Sequence, residues 1–287
     1  MPAITRRAFF ENAARTAGAA GLAAAAIRSG RANPLGLPIG SQTYPHRQRI
    51  KDGDFRGLCK DMVALGVTSL ELCSPGYGEF AGLADAKETK RIMSDAGIQC
   101  PSAHFTLNEL RNKQQEAIAW AHEIGMTQMG TASLNGQVQN GTTTMDVVKK
   151  LADEYNKIGE AAAKAGMQQF LHDERFEMSK VDGRVTYEAL LDLLDPKLVK
   201  MQFQMSAMPA VGDVVQYFNK YPGRFLSMHL QGVPQDGSRT AVAVGKDGLE
   251  WAKIFAAAKT GGVKNYFVEQ NWELTVQSVE FLKTLKG

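Results

Sequence analysis

Cysteine is scarce: Cys59, Cys73 and Cys100 are the only three in 287 residues, and no two form a CxxC pair. That excludes a closed disulfide framework and argues against a thiolate zinc site. Strong charge of either sign is also missing. The formal balance is +3, and residues 1–32 carry Arg6, Arg7, Arg15, Arg28 and Arg31 against Glu11 alone, or +4, which leaves the remainder at −1. A nucleic-acid surface needs clustered Lys and Arg to replace counterions, so a nucleic-acid partner is not expected. No apolar run is long enough to span a bilayer, and a stable membrane anchor is not expected either. With 44% hydrophobic and 22% charged residues, the chain is neither collagen-like nor disordered.

Thr5, the pair Arg6-Arg7 and Phe9, followed by the short apolar stretch Ala17 to Ile27 and small residues around Gly30-Arg31-Ala32, resemble a twin-arginine export signal. Residues 1–32 are therefore expected to be a leader, and residues 33–287 the mature domain, exported to the periplasm or otherwise outside the cytoplasm. An amphipathic N-terminal helix is the bland alternative.

From residue 37 onward, short apolar runs alternate with longer amphipathic stretches. The expected strands are Pro38–Gln42, Ser69–Cys73, Gln99–His104, Thr127–Ala132, Gln168–His172, Val199–Gln204, Phe225–Leu230 and Asn265–Glu269. Helices are expected over Phe55–Leu65, Ala86–Ala96, Gln114–Ile124, Thr144–Ala165, Tyr187–Leu194, Val214–Lys220, Leu249–Lys259 and Val276–Leu285. Gly66, Gly97, Gly125 and Gly166 stand where helices stop and suit left-handed C-caps. Eight strand–helix units in about 250 residues predict one α/β domain, a (β/α)8 TIM barrel. An open doubly wound sheet is the rival, but no GxGxxG follows the first strand.

Chemistry in such a barrel sits at the C-terminal ends of the strands. Those positions here hold Tyr44, Glu71, His104, His172-Asp173-Glu174, Gln204, His229 and Glu269. Three of the five histidines end strands. Buried polar groups without partners cost a few kcal/mol, so this density of donors points to a site. Imidazole, carboxylate and amide oxygen together suit a divalent cation, and the late strands offer His172, Gln204, His229 and Glu269 as ligands. Mn is the preferred ion, with Zn, Co and Mg as alternatives.

Around these residues the chain resembles the sugar phosphate isomerase/epimerase family, the xylose isomerase-like TIM barrels, in an exported branch behind twin-arginine leaders. The carriers are VTSLELC around Glu71, CPSAHF around His104, LHDERFE from Leu171 to Glu177 and VKMQFQMS ending near Gln204. PGRFLSMHLQG around His229, VAVGKDGLEWAKIFAAAK, and GVKNYFVEQ around Glu269 continue the likeness over the whole mature chain. The resemblance implies a divalent metal at the late strand ends and proton transfer at a carbon next to a carbonyl of a sugar or keto-sugar. Three positions depart from the family's pattern. His172-Asp173-Glu174 replaces a strand-5 Glu or His-Asn-His run, Gln204 replaces an Asp, and His229-Leu230-Gln231-Gly232 replaces HxKD. One carboxylate among four ligands should hold a hard cation less tightly than two or three would. The paired carboxylates of two-base epimerases are incomplete.

The proton is expected to move through Glu269, or through Glu71, Glu174 or Glu177 beside it. Glu177 could instead orient His172. His104, Tyr44 and Lys246, the last in the VGKDG loop, are the expected substrate contacts. Isomerisation, epimerisation and β-elimination from a 3-keto-glycoside share the same first step. An inactive sugar-binding barrel is the non-enzymatic alternative, and an apurinic endonuclease relative is opposed by the near-neutral charge. The expected partner is a small carbohydrate, with a homo-oligomer left open.

Overall fold

The computed structural model describes residues 33–285 apart from Gly237 and Arg239. The expected leader, its boundary at residue 32 and the export that follows from it lie outside the described residues.

Eight parallel strands close into a barrel: β1 (Gly40–Gln42), β2 (Ser69–Cys73), β3 (Gln99–His104), β4 (Gln128–Thr131), β5 (Gln168–Leu171), β6 (Val199–Gln204), β7 (Phe225–Leu230) and β8 (Asn265–Val268). Each strand pairs with the next in sequence, and β1 closes the ring on β8 through Gly40↔Phe267 and Ser41↔Val268. Eight helices follow the strands in turn: α1 (Phe55–Leu65), α2 (Ala86–Ala96), α3 (Gln114–Ile124), α4 (Met145–Lys164), α5 (Thr186–Leu193), α6 (Val214–Lys220), α7 (Trp251–Gly261) and α8 (Trp272–Leu282). The expected α/β TIM barrel is the observed fold. Among the described residues, no helix is long and apolar enough to cross a membrane.

The helices form for reasons visible in their residues. In α4, the buried positions Val148, Ala152, Tyr155, Ile158, Gly159 and Ala162 recur at intervals of three and four, one face of a helix laid on the sheet. Burying each larger side chain of that stripe contributes roughly 1.5–3 kcal/mol. Gly66 and Gly125 end α1 and α3 with φ of 99° and 101°, a backbone region that side chains with a Cβ disfavour.

Helix α8 starts four residues earlier than expected. Asn271 accepts a hydrogen bond from the Leu274 amide at 3.0 Å and caps it there. Three features at the barrel mouth lie outside the expected elements. A short helix over Leu107–Asn112 opens on a capping box between Thr106 and Glu109. A two-stranded hairpin over residues 180–185 turns at Asp182 and Gly183, both with positive φ. Another single-turn helix, Arg47–Lys51, follows β1.

The barrel interior departs from the usual filling of branched aliphatics. Leu70, Leu72, Ala103, Met201 and Phe203 are buried, yet Glu71, Ser102, His104, Gln202, Ser227 and His229 are buried too. These polar side chains bond to one another across the ring.

Candidate active site

A cavity of about 590 Å³ opens where the strands end, with Gln42, His104, Thr131, His172, Glu174 and Glu269 among its lining residues. The ends of β1 to β4 and the residues just past β5 and β8 reach this floor.

His229, at the end of β7, is fully buried and has a carboxylate at each ring nitrogen. Nε2 meets Glu71 Oε1 at 2.5 Å, and Nδ1 meets Glu269 Oε2 at 3.2 Å. Burial alone would lower its pKa, but the charges of Glu269 and Glu71 and their hydrogen bonds raise it to about 10. Burial would likewise raise the Glu71 carboxyl. The charges of His104 and His229, with the hydrogen bonds from both rings, hold it well below the usual carboxylate range. Glu71 Oε2 accepts from Ser102 Oγ at 2.7 Å and from Gln202 Nε2 at 2.9 Å. Gln202 also donates to Ser227 Oγ at 2.8 Å, and its Oε1 lies 2.7 Å from His104 Nε2. Glu71 therefore sits beneath the cavity and orients the imidazoles. Glu71, expected as a candidate proton carrier, is fully buried and is not among the residues lining the cavity.

His172 ends β5 with its ring centroid 4.6 Å from that of His229. Its Nδ1 lies 3.3 Å from the Ala132 carbonyl oxygen, and its Nε2 is buried with no hydrogen-bond partner among the described residues. Burial, then the neighbouring His229 and His104, push its pKa well below the ordinary value, so the ring is neutral with a lone pair to offer. Ligand atoms of His172, His229 and Glu269 come within 4.8 Å of one another, close enough for one ion. Gln204 is the fourth expected ligand. Its Nε2 donates to Ser206 Oγ at 2.7 Å, while its Oε1 is buried and unpartnered like His172 Nε2. The His172 Nε2 lone pair beside the Glu269 carboxylate fits a divalent cation, so the residues present suit such a group. Glu71, His104 and His229 form a second close cluster below it.

Glu174 lies on the cavity wall, and burial, followed by the charge of Glu269, raises its pKa. Its side chain shares the cavity with Glu269, the arrangement expected of a proton carrier. Glu177 is placed differently from the sequence reading. It is fully buried and accepts from Ser133 Oγ at 2.8 Å, Leu134 N at 2.8 Å and Glu174 N at 3.1 Å. It ties the loop after β4 to the loop after β5, is not among the lining residues, and has no hydrogen bond to His172 among the described residues. Burial outweighs these three hydrogen bonds and raises its pKa to about 7.

His104 and Tyr44, the two residues expected to contact substrate, both line the cavity. Tyr44 is 41% exposed, with the Arg47 guanidinium 4.5 Å from its ring centroid. Lys246 is exposed on its loop and is not among the residues lining this cavity. Cys73 lines the cavity as an inert thiol, because burial pushes its pKa up. Trp251 packs in the core and donates to Asp247. Gln202 escaped the sequence reading, although Gln202 and Gln204 alternate with Met201 and Phe203 in a strand buried on both faces.

No protein-family model and no curated protein matches the chain in sequence. Solved structures do match in three dimensions. A sugar phosphate isomerase/epimerase of Parabacteroides distasonis is 22% identical, with a TM-score of 0.69 over 89% of this chain and 95% of that one. A D-allulose 3-epimerase of Methylomonas sp. is 14% identical, with a TM-score of 0.65 over 86% of this chain and 97% of its own. A xylose isomerase-like TIM barrel protein of Mycobacterium smegmatis, solved in complex with magnesium, is 13% identical, with a TM-score of 0.62 over 88% and 97%. The architecture is that of the xylose isomerase-like TIM barrels.

Proposed function

We propose that this protein is a sugar isomerase or epimerase-like enzyme that moves a proton at the carbon beside a carbonyl. One observation carries the reading: ligand atoms of His172, His229 and Glu269 lie within 4.8 Å of one another, and His172 and Glu269 line the strand-end cavity together with Glu174. The likeness to barrels described as epimerases and isomerases supports it. His172 Nε2, His229 Nδ1 and Glu269 would hold a divalent cation, with Gln204 Oε1 the fourth donor. Such an ion, when bound, supplies positive charge that polarises a carbonyl and acidifies the neighbouring C–H. Glu71, accepting from His229 Nε2, would leave Nδ1 to such an ion, whose binding would displace the Nδ1 proton, as for a ligand histidine held by an outer carboxylate. Glu174 accepts and returns the substrate proton from the open side of the cavity. His104, anchored to Gln202, bonds a substrate hydroxyl, and the Tyr44 ring covers a sugar face. Residues 1–32 would direct the folded protein out of the cytoplasm.

The test is wash-in of solvent deuterium into ketohexoses, followed by NMR with and without added Mn²⁺. Exchange at the carbon beside the carbonyl, dependent on the metal and reduced roughly 100-fold or more in Glu174→Gln, is expected. Saturable sugar binding with no exchange under any metal would identify a binding barrel instead, the reading favoured by the single carboxylate among the four donors.

A further inference from the structure

Seven of the eight described arginines have a hydrogen-bonding or ionic partner: Arg47, Arg49, Arg56, Arg91, Arg111, Arg184 and Arg224. Arg175 has none among the described residues, and it lines the cavity. It does not dangle from a loose loop. Met178 N donates to Glu174 O at 3.0 Å across the turn, Glu174 N is held by Glu177, and Phe176 and Glu177 on its C-terminal side are buried. A turn held by these bonds thus sets an arginine with no partner among the described residues on the wall of the space where a substrate would sit.

The charged groups of the lining are Glu174, Arg175 and Glu269. We propose that the cavity takes a sugar acid, whose carboxylate pairs with Arg175 while its carbonyl end meets His172, His229 and Glu269. The inference rests on the proposed function and names the substrate class for the same site. A planar guanidinium matches a carboxylate through two parallel N–H···O bonds, and one cation neutralises one monoanion. A phosphate dianion would leave a charge uncompensated in a cavity that already carries two carboxylates, so the carboxylate is the better match. A neutral sugar would leave Arg175 without a partner.

The experiment is calorimetric binding of D-fructose, D-fructuronate and D-fructose 6-phosphate to the purified protein, to Arg175→Gln and to Arg175→Lys. Arg175 is exposed and unpartnered, so both variants should fold as the parent does, which a melting curve checks. The acid should bind the parent about tenfold or more tightly than fructose, the worth of one charge-assisted pair at a partly exposed site. That preference should vanish in Arg175→Gln, shrink in Arg175→Lys and weaken with added salt, while the affinity for fructose stays unchanged. Equal binding of acid and neutral sugar, or a preference that survives in Arg175→Gln, overturns the inference. Tighter binding of the phosphate than of the carboxylate also overturns it. If fructose binds and exchanges its proton without any preference for the acid, only this inference fails. If no member of the set binds, the proposed function fails with it.

Discussion

Replacing Glu71 by Gln changes little more than charge and one donor, yet it should damage both stability and the site. The carboxylate receives three donors, His229 Nε2 at 2.5 Å on Oε1 and Ser102 Oγ at 2.7 Å and Gln202 Nε2 at 2.9 Å on Oε2, and His104 Nε2 lies 3.3 Å from Oε1. An amide turns one of those oxygens into an NH₂ group. Either the His229 nitrogen or the serine and glutamine donors then face another donor. Each buried group left unsatisfied costs about 1–3 kcal/mol. His229 also loses one of its two carboxylates while remaining fully buried. Breaking a buried charge pair on one side typically costs about 3–5 kcal/mol, and the two routes agree on that size. At ~2–4 °C per kcal/mol for a domain of this length, the melting temperature should fall by roughly 10 °C. If Glu71 orients His229 toward a cation, Mn²⁺ affinity measured by calorimetry should also fall about 10–100-fold. A variant that loses less than about 1 kcal/mol in urea unfolding and binds Mn²⁺ like the parent would refute the role assigned to this carboxylate.

Two further perturbations test the packing around the site. His46 is buried against Trp272 with its Nε2 unpartnered, and burial, followed by the charge of Arg49, lowers its pKa to about 4. The unfolded chain takes up a proton below about pH 6.5 that the folded chain refuses until about pH 4, so this contribution is full above pH 6.5 and declines as the pH falls. His46→Phe should therefore gain about 2 kcal/mol relative to the parent between pH 7.5 and pH 5 in urea unfolding, and a pH-independent difference would contradict a neutral His46. Gly130 lies on β4, where an added Cβ would meet the Phe170 ring and its carbonyl oxygen at 2.4 Å. Because backbone cannot yield there, Gly130→Ala should cost about 1–3 kcal/mol or more in thermal unfolding, and a neutral outcome would mean the two strands separate more easily than their register implies.

The repeat of strands and helices was legible because each element carries its own local signal. Apolar runs of the right length, three- and four-residue spacing, and glycines past helix ends need no knowledge of the rest of the chain. The residue types at strand ends were legible for the same reason, and His172, His229 and Glu269 meet in space as their positions implied. Elements whose signal was present but overlooked are equally local: Thr106 and Glu109 spell a capping box, and Asp182-Gly183 a hairpin turn. Roles were harder to read than positions. Glu71, Glu174 and Glu177 look alike in sequence, but one lies beneath the floor, one on the wall and one behind it.

What separates those roles is closure of the barrel. Closure sets Glu71 of β2 against His229 of β7, 158 positions away, and His104 of β3 against Gln202 of β6, 98 positions away. No window along the chain contains either pair. A weaker trace was nevertheless present. Ser102 precedes His104 by two residues and Ser227 precedes His229 by two, so each strand carries a hydroxyl one layer beneath an imidazole. Gln202 and Gln204 repeat that spacing on the strand between β5 and β7. In strands buried on both faces, polar residues two apart have no solvent to face. They must bond to one another across the interior, which makes a polar i, i+2 pattern in a parallel strand the sequence signature of a bonded layer under the site.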